Sequence, residues 1–315
     1  MRTMGGDKKR RRAEEERGAY GTMVDNNATC GGYYEISDVL LEPEEGYWAN
    51  GSVGGVGARG ASEGAEGLGG LALSLAGATD QGGRLCNEDS FLVWGEAGVV
   101  SDGIGGAPHG DLFSRLCCNA FLDDWGEACA ALPGVGSEKD GESLMRSTFV
   151  SVDRFVSRAS RYLGQGSGAT LVAAVRWGDC LLVGSVGDTA AFSLGEDGSL
   201  TRIMADDGRA DGAGNTLREA MGYRLIERDG GRVQTALVPL RFVRRVLLCS
   251  DGVWTQLDEG RMSEIVLESD DPYVTAYRLV HEAAEARGPN SDNATAVVIH
   301  AGAPVRSEST PWFPC

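Results

Sequence analysis

A chain of 315 residues with 42% hydrophobic side chains can bury a sizeable core, as one large domain or two ordinary ones. Its formal net charge of −17 argues against nucleic acid or an anionic membrane surface as the main partner. No apolar run approaches the roughly 20 residues of a membrane helix, and no secretory signal opens the chain. The eight cysteines include no Cys-x-x-Cys pair, which argues against a zinc or disulfide framework and points to a reducing cytoplasm.

In chain order, the basic run Lys8-Lys9-Arg10-Arg11-Arg12 is followed at once by Glu14-Glu15-Glu16 and reads as a solvated end. Glycine recurs between Gly51 and Gly70 with almost nothing to bury, which describes a flexible linker. Residues 1–68 are therefore expected to be a low-complexity, disordered leader, 69–302 the folded domain and 303–315 a tail. Tyr33, Tyr34, Tyr47 and Trp48 stand out in the leader, as a docking segment or as an isolated apolar patch. Strands are expected over 71–76, where apolar residues alternate, and over 91–94 and 98–101 as a hairpin. Helix-spaced apolar residues follow over 110–127 (Leu112, Leu116, Phe121, Trp125) and over 143–162 (Leu144, Phe149, Val152, Phe155, Val156). Further strands are predicted over 170–176, 180–185, 190–194 and 199–203, separated by the turns Trp177-Gly178-Asp179 and Gly195-Glu196-Asp197-Gly198. Strands over 232–238 and 245–250, a helix over 272–286 and a strand over 295–300 complete the domain. Strands grouped with strands and helices grouped apart indicate an α+β fold with antiparallel sheets.

One arrangement repeats. Val99-Val100-Ser101 leads into Asp102-Gly103, Val246-Leu247-Leu248-Cys249-Ser250 leads into Asp251-Gly252, and Asp292-Asn293 stands before Ala294-Thr295-Ala296-Val297-Val298-Ile299. Each reads as a strand with an acid at one end. Singly, an Asp-Gly pair is only a turn. Collected at the ends of adjacent strands, such acids form an oxygen-rich cluster of the kind that magnesium or manganese prefers.

These segments sit among others: Thr79-Asp80-Gln81-Gly82 through Arg84 to Asn87-Glu88-Asp89-Ser90; Ser101-Asp102-Gly103-Ile104-Gly105-Gly106; Gly166-Ser167-Gly168-Ala169-Thr170; Val186-Gly187-Asp188-Thr189; Asn215-Thr216-Leu217 to Met221-Gly222; Leu248-Cys249-Ser250-Asp251-Gly252-Val253-Trp254; and Ser291-Asp292-Asn293-Ala294-Thr295. In that order the chain resembles the metal-dependent serine/threonine phosphatases, the PPM or type 2C family, in the style of its bacterial members. The resemblance implies two antiparallel sheets packed as a sandwich, flanked by helices, with the metals at one end. It implies two Mg2+ or Mn2+ ions and a water activated between them that attacks phosphorus in line.

By the same resemblance Asp102 bridges both ions and the Gly103 carbonyl binds one. Asp251 and Asp292 complete the first ion's shell, Glu88 serves the second with Asp89 in support, and Asp188 holds a third, weaker ion together with Asp251. Arg84 grips the phosphate with its planar fork, and Asn293 orients Asp292. The implied partners are phosphoserine and phosphothreonine proteins, with a cognate kinase and its targets.

Three departures from the family pattern stand out. Ile104 occupies a position where some members carry histidine, leaving His109 as the local candidate for a general acid. The flap is reduced to the Gly- and Asp-rich 205–214, and Thr189-Ala190-Ala191 stands where relatives carry serine and arginine. The reading expects an active phosphatase. Its alternatives are a silent phosphatase-fold protein that binds phosphoproteins and a cation-binding module without turnover. All depend on Asp102, Asp251 and Asp292 meeting in space.

Overall fold

The computed structural model of the chain describes residues 56–61 and 71–302, except 133, 164–165, 205–218 and 224–232. The strands are β1 (Val56–Ala61), β2 (Leu73–Asp80), β3 (Asp89–Trp94), β4 (Ala97–Asp102), β5 (Leu171–Trp177), β6 (Cys180–Val186), β7 (Ala190–Gly195), β8 (Leu200–Arg202), β9 (Gln234–Pro239), β10 (Val243–Cys249) and β11 (Ala294–Ala301). The helices are α1 (Gly110–Ala130), α2 (Glu138–Tyr162), the single turn α3 (Asp251–Trp254), α4 (Glu259–Glu268) and α5 (Pro272–Arg287). Among the described residues, one sheet runs β1-β2-β11-β10-β7-β8 and the other β3-β4-β5-β6-β9. All their pairings are antiparallel.

Apolar surface is buried in three layers, which is why several strands lack polar/apolar alternation. Between the sheets, Leu75, Phe91 and Val100 interlock with Val172, Leu248 and Val297. Outside the five-stranded sheet, Phe113 and Phe121 of α1 and Met145, Phe149 and Val152 of α2 cover Val99, Ala173 and Val175. Outside the other sheet, Ile265 and Val266 of α4 and Leu279 and Val280 of α5 cover Leu247, Ala296 and Val298. A strand wrapped on both faces, such as β11 with seven of its eight residues buried, must be apolar on both. The sheets approach closely at Gly98, where a Cβ would lie 2.8 Å from Val297 Cγ1. At Gly77 a Cβ would overlap the Phe91 ring.

Local chemistry sets the helix ends. Ser137 and Asp140 form a capping box that starts α2 at Glu138, five residues before the apolar periodicity becomes visible. Asp271 caps α5 through the Tyr273 N–H, with Pro272 in the first turn. Asp258 caps α4 through Arg261 N–H.

The α+β sandwich expected from the sequence is observed, with differences in detail. Within the expected leader, Val56–Ala61 forms edge strand β1, pairing Val56 with Thr79 and Ala61 with Ser74. Tyr33, Tyr34, Tyr47, Trp48, the rest of the leader, the tail and the flap 205–214 lie outside the described residues. Helices α3 and α4 were not anticipated; α4 shows only Met262, Ile265 and Val266 as buried apolar side chains and is held by Arg261 to Glu282. Cys86 is disulfide-bonded where a reduced thiol was expected, whereas Cys117, Cys118, Cys129, Cys180 and Cys249 are free thiols.

Candidate metal centre

The sandwich collects its acids at one end. The β3–β4 register pairs Asp89 directly with Asp102, and side chains opposite each other in an antiparallel pair share a face about 5 Å apart at Cβ. Both strands belong to the five-stranded sheet. The other sheet contributes Asp251, the residue after Ser250 at the end of β10, and Asp292, two residues before β11. Asp188 lies between β6 and β7, where the chain crosses from one sheet to the other through Gly187 at φ 98°.

Hydrogen bonds fix these segments. Ser250 Oγ donates to Asp89 Oδ2 at 2.7 Å and accepts from the Thr295 N–H at 3.0 Å, tying the two sheets together beneath the acids. The Asn293 side chain makes three bonds to the loop carrying Arg84 and Glu88. Its Nδ2 donates to the carbonyls of Gln81 (2.8 Å) and Cys86 (2.9 Å), and its Oδ1 accepts from the Glu88 N–H (2.9 Å). Its own N–H donates to Asp292 Oδ1 at 2.9 Å, so it serves Asp292 through the backbone and the Arg84–Glu88 loop through the side chain. Gly103 donates its N–H to the Glu88 carbonyl, and a Cβ there would overlap the Gly110 carbonyl. Trp254 Nε1 donates to the Asp188 carbonyl at 3.0 Å, linking the inter-sheet crossover to the helix that begins at Asp251.

Electrostatics reports the convergence. Asp102 is half-buried, yet its carboxyl lies amid protein. Burial, then repulsion from Asp89, Asp251, Asp188 and Asp292, pushes its pKa well above the usual carboxylate range. Burial raises Asp89 to about 7, against the opposing hydrogen bond from Ser250 and with a contribution from Asp251. Glu88 is raised by burial and by Asp111, partly offset by Arg84 and by a hydrogen bond from the Gly110 backbone. Arg84 pairs with Asp292 at 2.7 Å, which raises its own pKa further. Its side chain remains 53% exposed, and Asp292 rather than an open cleft is its partner.

The donor set fits hard divalent ions. Glu88, Asp89, Asp102, Asp251, Asp292 and the Gly103 carbonyl offer oxygen alone, and like charges crowded together are relieved by a cation. Among the described residues no three acids form a ready-made cage. Asp89, Asp251, Asp188 and Asp292 lie within electrostatic range of Asp102, and Asp292 is drawn toward Arg84.

His109 is the one residue other than glycine with positive φ (62°) among the described residues, and it occupies the cap position of α1 without a side-chain capping bond. Its carbonyl accepts from the Leu112 and Phe113 N–H groups, which turns the chain into α1 and sets Gly110 against the Glu88 carboxyl. Three contributors escaped the sequence reading: Ser250, Asp111 and the amide group of Asn293 as a loop clamp. Only the position of Ser250 at the end of an apolar strand beside Asp251 could have signalled one of them.

An antiparallel sandwich with acids from both sheets at one end is the arrangement of a PPM-type phosphatase. The family model described as Protein phosphatase 2C matches residues 76–291, and the chain belongs to that family. It is 30% identical over 200 residues to the serine/threonine phosphatase Stp of Listeria monocytogenes, covering 59% of this chain and 76% of that protein. It is also 30% identical over 246 residues to the serine/threonine protein phosphatase PstP of Mycobacterium tuberculosis, covering 72% of this chain and 45% of that longer protein. Among solved structures, the catalytic domain of PstP in complex with two manganese ions superposes with a TM-score of 0.59 at 25% identity, covering 73% of this chain and 98% of that one. Stp1 of Staphylococcus aureus shares the fold with a TM-score of 0.63 at 18% identity, covering 76% and 99%.

Proposed function

We propose that the chain is a Mn2+- or Mg2+-dependent protein phosphatase that hydrolyses phosphoserine and phosphothreonine. The observation that carries this reading is the Asp89–Asp102 pair from one sheet set within electrostatic range of Asp251 and Asp292 from the other. The family membership and the two manganese ions of the PstP complex support it.

Asp102 would bridge two ions, with the Gly103 carbonyl, Asp251 and Asp292 around the first and Glu88, supported by Asp89, around the second. Asp188 and Asp251 would take a third. When bound, such a pair neutralises phosphoryl charge and activates the attacking water. Arg84 turns from Asp292 to the phosphoryl oxygens, its planar fork matching two of them. Asn293 keeps that arginine and Glu88 in register by clamping the loop at three points. Ser250 and Gly110 orient the buried carboxyl of Asp89 and the half-buried carboxyl of Glu88 by hydrogen bonding. The physiological substrates are phosphorylated proteins of a cognate serine/threonine kinase.

The test is release of phosphate from a phosphothreonine peptide by the purified full chain, with and without Mn2+. Metal-dependent release is expected. A folded chain that binds the peptide but releases no phosphate at any Mn2+ concentration would establish the silent, phosphoprotein-binding alternative.

A further inference from the structure

Helix α2 carries a polar stripe that core packing does not require. Asp153, Ser157 and Ser160 are all buried, Asp153 completely, on a helix whose neighbouring Val152 and Val156 belong to the apolar core. A buried carboxylate is retained only where backbone or side-chain donors compensate its lost hydration. Asp153 Oδ1 accepts from the Gly222 N–H at 2.8 Å and lies 3.5 Å from Ser157 Oγ. One helical turn on, Ser160 Oγ accepts from the Ser167 N–H at 3.1 Å.

The two backbone limbs held in this way meet each other and then the acid turn. Ala169 N–H donates to the Met221 carbonyl at 3.2 Å and Met221 N–H to the Ala169 carbonyl at 2.8 Å. The limb through Ala169 straddles Asp102. Thr170 N–H donates to the Asp102 carbonyl (2.8 Å), Asp102 N–H to Thr170 Oγ1 (3.0 Å), and Ile104 N–H to the Gly168 carbonyl (3.1 Å). Gly103 itself bridges Ala169. The route from Asp153 to the Gly103 carbonyl thus runs through Gly222, Met221 and Ala169. It is tightly fitted: Gly222 sits at φ 101°, and a Cβ there would lie 3.0 Å from the Ser167 carbonyl.

We infer that Asp153 is a positioning residue for the metal-binding turn Asp102–Gly103, acting from behind it through Gly222 and the Ala169–Met221 bridge. This rests on the phosphatase reading above. Groups that orient metal ligands commonly change metal affinity when removed, and Asp153→Ala is expected to raise the Mn2+ concentration for half-saturation about tenfold. Turnover at saturating Mn2+ should change little. Asp153→Asn, which keeps an acceptor oxygen, should stay close to wild type.

Mn2+ binding is followed by calorimetry on the full chain, with hydrolysis of p-nitrophenyl phosphate as a second readout. Met145→Ala, a cavity in the same helix, serves as the control: it should lower Tm without moving Mn2+ affinity. An Asp153→Ala chain that binds Mn2+ as wild type does overturns the inference, as does an equal shift in Met145→Ala. If Asp153→Ala does not fold, amide exchange on the wild-type chain decides. Mn2+ should slow exchange at Ile104, Met221 and Gly222 together, and slowing at Ile104 alone overturns the inference. A wild-type chain that binds no Mn2+ overturns the phosphatase reading itself, whereas wild-type binding unaffected by Asp153→Ala overturns only the role given to Asp153.

Discussion

Strands β10 and β11 meet ionisable groups at both of their ends, and the two ends treat them differently. At the far end each ionisable side chain meets a local partner in Asp270. Arg245 pairs with Asp270 at 2.6 Å, and the His300 ring nitrogen Nδ1 meets the Asp270 carbonyl at 2.9 Å. Burial, with Arg245 close by, holds His300 down to about 4, so it stays neutral. At the site end, Asp89, Asp102, Asp251 and Asp292 crowd together with Arg84 as the nearby cation, and that arginine is engaged by a single acid. Charges answered locally maintain a fold; like charges gathered against their own repulsion mark a place where something else must bind.

The contrast can be broken most sharply at Asp251. Asp251→Asn keeps shape and removes charge, and turnover of a phosphothreonine peptide with Mn2+ should fall at least about a hundredfold. Melting without metal should stay the same or rise. Retained activity would remove Asp251 from the ligand set. Asn293→Ala comes next, since it releases the Arg84–Glu88 loop from three bonds and leaves a part-buried backbone N–H and two carbonyls to find new partners. Activity should drop about tenfold and stability by about 2–3 kcal/mol, read by peptide hydrolysis and urea unfolding.

A smaller effect concerns pH in the presence of chelator. Because Asp89 is raised to about 7 in the folded state, the fold binds more protons than the unfolded chain between its ordinary value and 7. Stability should therefore fall as pH rises toward and through 7, by on the order of 5 °C in Tm, and Mn2+ should reverse the trend. A flat profile with and without Mn2+ would separate Asp89 from the ion. The last effect, confined to acid pH, belongs to the far end. His300 is lowered from 6.5 to about 4, so the unfolded chain binds the extra proton in that interval and stability is lost as pH falls through it. His300→Gln should remove about 2 kcal/mol of this acid sensitivity without touching catalysis.

The sandwich and the acids at one end of it were legible because each acid follows or precedes an apolar strand, a pattern readable without tertiary knowledge. Asp102 and Asp251 announce themselves by a following glycine, and Asp292 by the run from Ala294 to Ile299. Helix α4 was not legible, since its sequence Glu259-Gly260-Arg261-Met262 has weak periodicity and its hold on the fold comes from Arg261 reaching Glu282, 21 positions away. Strand β1 was hidden for the opposite reason: a glycine- and alanine-rich segment carries little hydrophobic signal, and only pairing with β2 makes it a strand. The work of Asn293 was legible only in part. Its neighbour in sequence is Asp292, but its amide group reaches across to residues more than 200 positions earlier, which spacing along a chain does not reveal.

Ser250 joins the layers in a way that reaches beyond catalysis. Its hydroxyl, bonded to Asp89 on one sheet and to Thr295 on the other, is a rivet between two slabs otherwise pressed together by greasy side chains. A cation seated just above that rivet would fasten the same seam a second time. Scarcity of divalent ions in the surroundings would then shorten the folded lifetime of the chain as well as silence it.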